Sequence, residues 1–269
     1  MRHLRTLCVL TAFTLALAAC ASSPSHPNAA APVPAPEPAP PVTPPPPAST
    51  VPTVPPAPPV PVPDNGLGAG DQGPPVLALE QRLDAQHYDV GKVDGVFDDD
   101  TTYGVTAFQK VNGMPRTGRA TPDVAARLAD AQPPAPLVPN GGPTRVEIDL
   151  PRQVLFVYEN GPLDKILSIS TGSGEPYCSL QGCTTAVTPP GKYAVDYHAD
   201  GWVHSDLGWL YNPVYFDSKK GLAIHGFQDV PADPASHGCV RIPMSAAQWF
   251  PDKAPKGTPV YVSDGQTPL

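Results

Sequence analysis

Nearly half of the chain's 41 prolines fall between Pro24 and Pro63, in a stretch with a single charged residue, Glu37. Proline fixes φ and removes a backbone donor, so so dense a run can sustain neither a helix nor a sheet ladder. It favours extended polyproline II instead. About 40 residues at ~3.1 Å each reach on the order of 120 Å when stretched. Residues 21–73 therefore read as a disordered, proline-rich linker, and the folded units must lie C-terminal to it.

Ahead of the linker, Arg2 and Arg5 precede the apolar run Leu7–Ala18, which ends in Leu17-Ala18-Ala19-Cys20. This is the pattern of an export signal over residues 1–20, too short to remain as a spanning helix. The tetrad resembles the bacterial lipobox, which implies a membrane anchor through lipid on Cys20 and loss of Cys8. An ordinary secretory signal cleaved after Ala19 is the alternative. Either reading sends the protein out of the cytoplasm, lipid-anchored to a bacterial membrane or secreted to the cell wall or periplasm. The formal charge of −8, without any Lys/Arg cluster, argues against nucleic acid as a partner. Cys178, Cys183 and Cys239 remain. In an oxidising compartment Cys178 and Cys183 can close a small loop through Leu180 and Gln181, leaving Cys239 free; two reduced thiols are the alternative.

Two modules follow. In residues 74–131, Val76, Leu79 and Leu83, then Val105, Phe108 and Val111, recur at helical spacing, and Thr121-Pro122 opens a third short helix through Val124 and Leu128. Phe97 and Phe108 are expected in its core. Residues 132–143 form a second Pro/Gly-rich linker. Residues 144–263 carry strand patterning at Arg145–Leu150, Gln153–Glu159, Ile166–Thr171, Gly191–Tyr197 and Thr258–Ser263, with Asn160-Gly161 as a hairpin turn. A short helix is expected near Ser245–Phe250, and residues 264–269 form a tail. The expected fold class is a mainly β domain, a sandwich or open barrel, preceded by a small three-helix domain.

The chemistry concentrates in Ile224-His225-Gly226 and Ser236-His237-Gly238-Cys239-Val240-Arg241. Cysteine attacks as the thiolate, so it needs a partner such as an imidazole to take its proton. Taken singly, the cysteine could be inert core and the histidine a buried side chain. A structural zinc site from Cys239, His225 and His237 lacks the second Cys pair at finger-like spacing. These residues together resemble the L,D-transpeptidase catalytic-domain family. That resemblance implies Cys239 as nucleophile, His225 as base, and His237 with Gly238 in the oxyanion wall. Ser236, Arg241 and Gly226 are expected at the substrate. For Ser236 the other reading is that it orders the loop or hydrogen-bonds a histidine, and Arg241 either holds a substrate carboxylate or pairs within the loop. The aromatic run Tyr197–Phe216 offers a flap or groove wall, although core packing accounts for any single member.

Gly91-Lys92-Val93-Asp94-Gly95-Val96-Phe97, Thr101 and Ala107-Phe108-Gln109 resemble the peptidoglycan-binding-like helical domain, with Asp98-Asp99-Asp100 in place of the usual Gly-Pro entry. Together the resemblances imply an enzyme acting on peptidoglycan stem peptides and glycan. In it a Cys239 thioester forms with loss of D-alanine, and an amine of a neighbouring stem accepts the acyl group in a 3-3 type cross-link. They also imply acylation by carbapenem-type β-lactams. No metal or organic cofactor is expected, and a monomer is. An L,D-carboxypeptidase with water as acceptor, and a non-catalytic cell-wall-binding lipoprotein, are the alternatives.

Overall fold

The computed structural model describes residues 59–179 and 182–269. The export signal, the Cys20 lipid site, the linker up to residue 58, and Leu180 and Gln181 lie outside the described residues.

The N-terminal region is helical: α1 (Pro74–Ala85), α2 (Asp99–Val111) and α3 (Pro122–Asp130). Each start is specified locally. Pro74 and Pro122 occupy the first turn, where a missing N–H costs nothing. The Asp98 carboxylate caps α2 by accepting from Thr101 N–H, and the Thr121 hydroxyl caps α3 through Val124 N–H. The acidic run at Asp98–Asp100 thus serves as cap and first turn. Glu80 is fully buried in α1, and its carboxylate accepts from the N–H groups of Asp94 and Gly95 and from the Thr101 hydroxyl. It fixes the Gly91–Phe97 loop from inside. Leu79, Leu83, Phe97, Phe108 and Leu128 form the core, with Tyr88 edge-on to Phe108 at 5.3 Å.

The C-terminal unit runs β1 (Arg145–Asp149), β2 (Val154–Tyr158), β3 (Leu163–Ser168), β4 (Pro176–Ser179), β5 (Gly182–Thr185) and β6 (Gly191–Ala194). It continues with β7 (Tyr197–His198), β8 (Trp202–Ser205), β9 (Gly208–Asp217), β10 (Leu222–Gly226), β11 (Val240–Ile242), α4 (Ala246–Lys253) and β12 (Pro259–Ser263). One sheet has the order β3-β2-β1-β12-β6, with β1 and β12 parallel. The second has the order β11-β10-β9-β7, with β8 also on β9, while β4 and β5 form a separate hairpin. Val146, Ile148, Leu155 and Val157 from the first sheet meet Val214, Ile224, Val240 and Ile242 from the second, and Phe250 of α4 joins them. The unit is a mainly β sandwich.

At β1 and β2 the first sheet is buried on both faces. Leu155 and Val157 of β2 face the sandwich core, whereas Val154, Phe156 and Tyr158 join the core of the helical region. Two covered faces explain why β2 reads as an unbroken apolar run rather than an alternation. Lys110 of α2 is also buried at this seam, where its Nζ donates to Gln153 O (3.0 Å), Ser168 Oγ (2.9 Å) and Ile169 O (2.9 Å). The chain at 87–89 bonds along β3 through Ile166 N–H to His87 O and Asp89 N–H to Ile166 O, which covers that sheet edge. Segment 132–143 is pinned as well, since Leu137 and Val138 N–H donate to the Glu147 carboxylate. The helical region and the sandwich therefore share an interior and are not spaced apart.

Other differences have local causes. The stretch expected as one strand over Gly191–Tyr197 is divided between β6 and β7, because at Val195–Asp196 the chain crosses from Thr258 O to Tyr215 O and so changes sheets. The strand expected at Ile166–Thr171 is β3, beginning earlier at Leu163 behind a turn whose Asn160 and Gly161 both have positive φ (53° and 117°).

Candidate active site

The register of β10 and β11 brings the reactive residues together. They run parallel with Ile224 opposite Val240 and His225 opposite Arg241. Cys239, one residue before Val240, is thus level with Ala223. Side chains alternate along a strand, so His225, Cys239 and Arg241 share one face, and Ile224, Val240 and Ile242 point into the core. The shared face lines a groove of about 960 Å³, with Tyr177, Trp209 and His237 on its rim.

Local contacts fix each group. The His225 ring is buried and its Nδ1 lies 3.0 Å from Gly226 O, which it can bond only as N–H; Nε2 then carries the lone pair. Cys239 is partly exposed, with Sγ 3.4 Å from Gly221 O. Gly238 has φ +138°, and a Cβ there would sit 2.9 Å from Val187 O, so the turn before the cysteine needs glycine. Its carbonyl accepts from Thr188 Oγ1 at 2.6 Å. Ser236 bridges the same turn, accepting from Gly238 N–H (3.0 Å) and donating to Cys239 O.

Three expected site residues have other contacts here. Gly238 N–H is engaged by Ser236, so Gly238 contributes its conformation and not a free oxyanion donor. Gly226 is buried, and a Cβ on it would come within 2.7 Å of Ala247 Cβ and 3.0 Å of Tyr211. It seats β10 under α4 and orients His225 through its carbonyl, away from the groove. The Ser236 hydroxyl likewise serves its own turn. Arg241 lies over the Phe227 ring, 4.2 Å from its centroid, still on the groove. His237 is exposed and packs edge-on to Tyr177 at 4.8 Å. Tyr177 stands in the β4–β5 hairpin beside Cys178, which is disulfide-bonded to Cys183.

Residues 143–262 match the family described as L,D-transpeptidase catalytic domain, and residues 72–128 match a peptidoglycan binding domain. An L,D-transpeptidase from Xylanimonas cellulosilytica (residues 123–326) is 38% identical; the match covers 77% of this chain and 100% of that one, with a TM-score of 0.69. The chain belongs to the L,D-transpeptidase family. Similarity extends to an L,D-transpeptidase of Stackebrandtia nassauensis, at 24% identity and TM-score 0.43 over 77% of this chain and 100% of that one. One from Mycobacterium tuberculosis H37Rv follows at 19% and 0.39, where the match covers 45% of this chain and 58% of that one. No curated protein matches.

Electrostatics sets the resting state of this L,D-transpeptidase. Burial pushes the His225 pKa down to about 4, with the Arg241 charge adding to the effect and the Gly226 carbonyl opposing it. Burial also raises the Cys239 thiol, against a backbone hydrogen bond at Ala223 and the nearby Arg241. The favoured pair at neutral pH is thiol and neutral imidazole rather than thiolate and imidazolium.

Sequence reasoning passed over Thr188 and Tyr177. Thr188 joins two strand connections by accepting from Gly172 N–H while donating to Gly238 O, and nothing local announces that. Tyr177 carried one signal, its place next to a cysteine.

Proposed function

We propose that this L,D-transpeptidase cross-links peptidoglycan through a Cys239 thioester. As Cys239 Sγ attacks the carbonyl preceding the terminal D-alanine of a stem tetrapeptide, His225 Nε2 takes the thiol proton and passes it to the departing D-alanine nitrogen. An amine of a neighbouring stem then attacks the thioester and loses its proton to His225, which returns it to the sulfur as the 3-3 type link forms. The Cys239 N–H serves as oxyanion donor, and Arg241 draws a substrate carboxylate into the groove. The observation that carries this reading is the common face of His225, Cys239 and Arg241 on adjacent parallel strands lining one groove.

The peptidoglycan-acting domains fit an extracytoplasmic site of action. Among the described residues no helix is long and apolar enough to cross a membrane. A lipid anchor at Cys20 followed by the extended linker would carry the catalytic unit from a membrane to the polymer.

The test is intact-mass spectrometry with a disaccharide-tetrapeptide, on wild type and Cys239→Ala. A thioester adduct and a cross-linked dimer with wild type alone are expected. A tripeptide without dimer would make water the acceptor, and turnover by Cys239→Ala would remove the cysteine from the mechanism.

A further inference from the structure

Between base and nucleophile lies the loop 227–235, and its outer side is held by the helical region. Arg116, just past α2, donates from Nη1 to Ala232 O (3.3 Å) and the Asp233 carboxylate (3.1 Å), and from Nη2 to Pro151 O (3.1 Å). Its guanidinium ties the loop to the β1–β2 turn. The Tyr103 hydroxyl on α2 meets Gln228 O and Val230 N–H, both at 3.4 Å. Asp100, in the first turn of α2, accepts from Ser245 Oγ at the head of α4 (2.6 Å). The inner side of the loop is held by the sandwich: Ser170 Oγ donates to Asp233 O, and Thr171 O accepts from Ala235 and Ser236 N–H. Ser236 in turn holds the Gly238–Cys239 turn.

The loop is thus gripped from two sides, and the helical region, which matches a peptidoglycan binding domain family, supplies one of the grips. We propose that Arg116, backed by Tyr103, is a positioning residue for the transpeptidase reaction, holding loop 227–235 so that Cys239 stands correctly against His225. The inference rests on the proposed catalytic reading. A rigid planar fork that bonds two carbonyls and a carboxylate at once fixes the loop's orientation, whereas an ammonium on a flexible stem would hold it less firmly. Small misplacements of a nucleophile are costly to rate even when their cause lies outside the site.

The test uses the full chain with Arg116→Ala, Arg116→Lys and Tyr103→Phe. Four quantities are read: kcat and KM on the tetrapeptide, the iodoacetamide alkylation rate at the Cys239-containing peptide, and the thermal midpoint. For Arg116→Ala, kcat should fall about tenfold with KM within about twofold, and Cys239 alkylation should change by about threefold or more. The midpoint should move by only a few degrees, since this partly exposed ion pair contributes little to stability. Arg116→Lys should recover part of the rate, and Tyr103→Phe should show a smaller loss. Unchanged kcat and alkylation in Arg116→Ala, or a loss confined to KM, would overturn the inference. If wild type turns over no tetrapeptide, the catalytic reading has failed, and the alkylation comparison alone still decides whether the helical region sets the cysteine's environment.

Discussion

The seam between α2 and the first sheet and the rim of the groove differ in nearly every physical respect. At the seam, Phe108, Phe156 and Ile166 are buried and the one ammonium has three acceptors. On the rim, Trp209 keeps about half its surface exposed (55%), and Tyr177 rests on the exposed His237. Burial with satisfied polar groups stabilises the fold, whereas solvent-facing aromatics contribute little until a ligand covers them. The difference separates what holds this enzyme together from what it leaves open to solvent along the groove.

The sharpest way to break the contrast is at Lys110. Burial lowers its pKa to about 7, while three acceptors around the nitrogen suit an ammonium with three donors. Lys110→Met removes those donors from a dry seam, and denaturant unfolding should show a loss of about 3–5 kcal/mol. An unchanged midpoint would mean the seam is held by apolar contacts alone. His225 comes next. Its folded pKa of about 4 lies below the unfolded value of 6.5, so between those values the unfolded chain binds more protons. Stability from this group is therefore full above pH 6.5, falls as pH drops through the window, and is gone below about 4. The change is on the order of 3 kcal/mol. His225→Gln should flatten that part of a stability–pH curve. The smallest stability effect belongs to the rim: Trp209→Ala should shift unfolding by no more than about 0.5 kcal/mol while raising KM for the tetrapeptide several-fold, as steady-state kinetics would show.

The same contrast governs what could be read from the sequence. Val76, Leu79, Leu83 and Phe108 were legible because helical burial leaves a period, and Asn160-Gly161 because positive φ restricts residue choice. That His225 and Cys239 belong to one site was legible because their two motifs together resemble the family's, and the structure brings both to one groove. The β8–β9 hairpin was not, since its aromatics fit a wall or a core equally well. Nor was the turn of Gly226 away from the groove, which depends on Ala247 and Tyr211 arriving from elsewhere. Arg116 is a lone arginine in sequence. Only the return of loop 227–235 to α2 shows what it holds.

The three bonds from Lys110 also bear on heredity. A bead on a string can be shuffled between genes, because its neighbours do not notice the exchange. Here the amine sits in one domain and its acceptors, Gln153, Ser168 and Ile169, in the next. A foreign helical partner without a lysine at this place would bury those acceptors without a donor, so a swapped domain would meet this seam at a cost in stability.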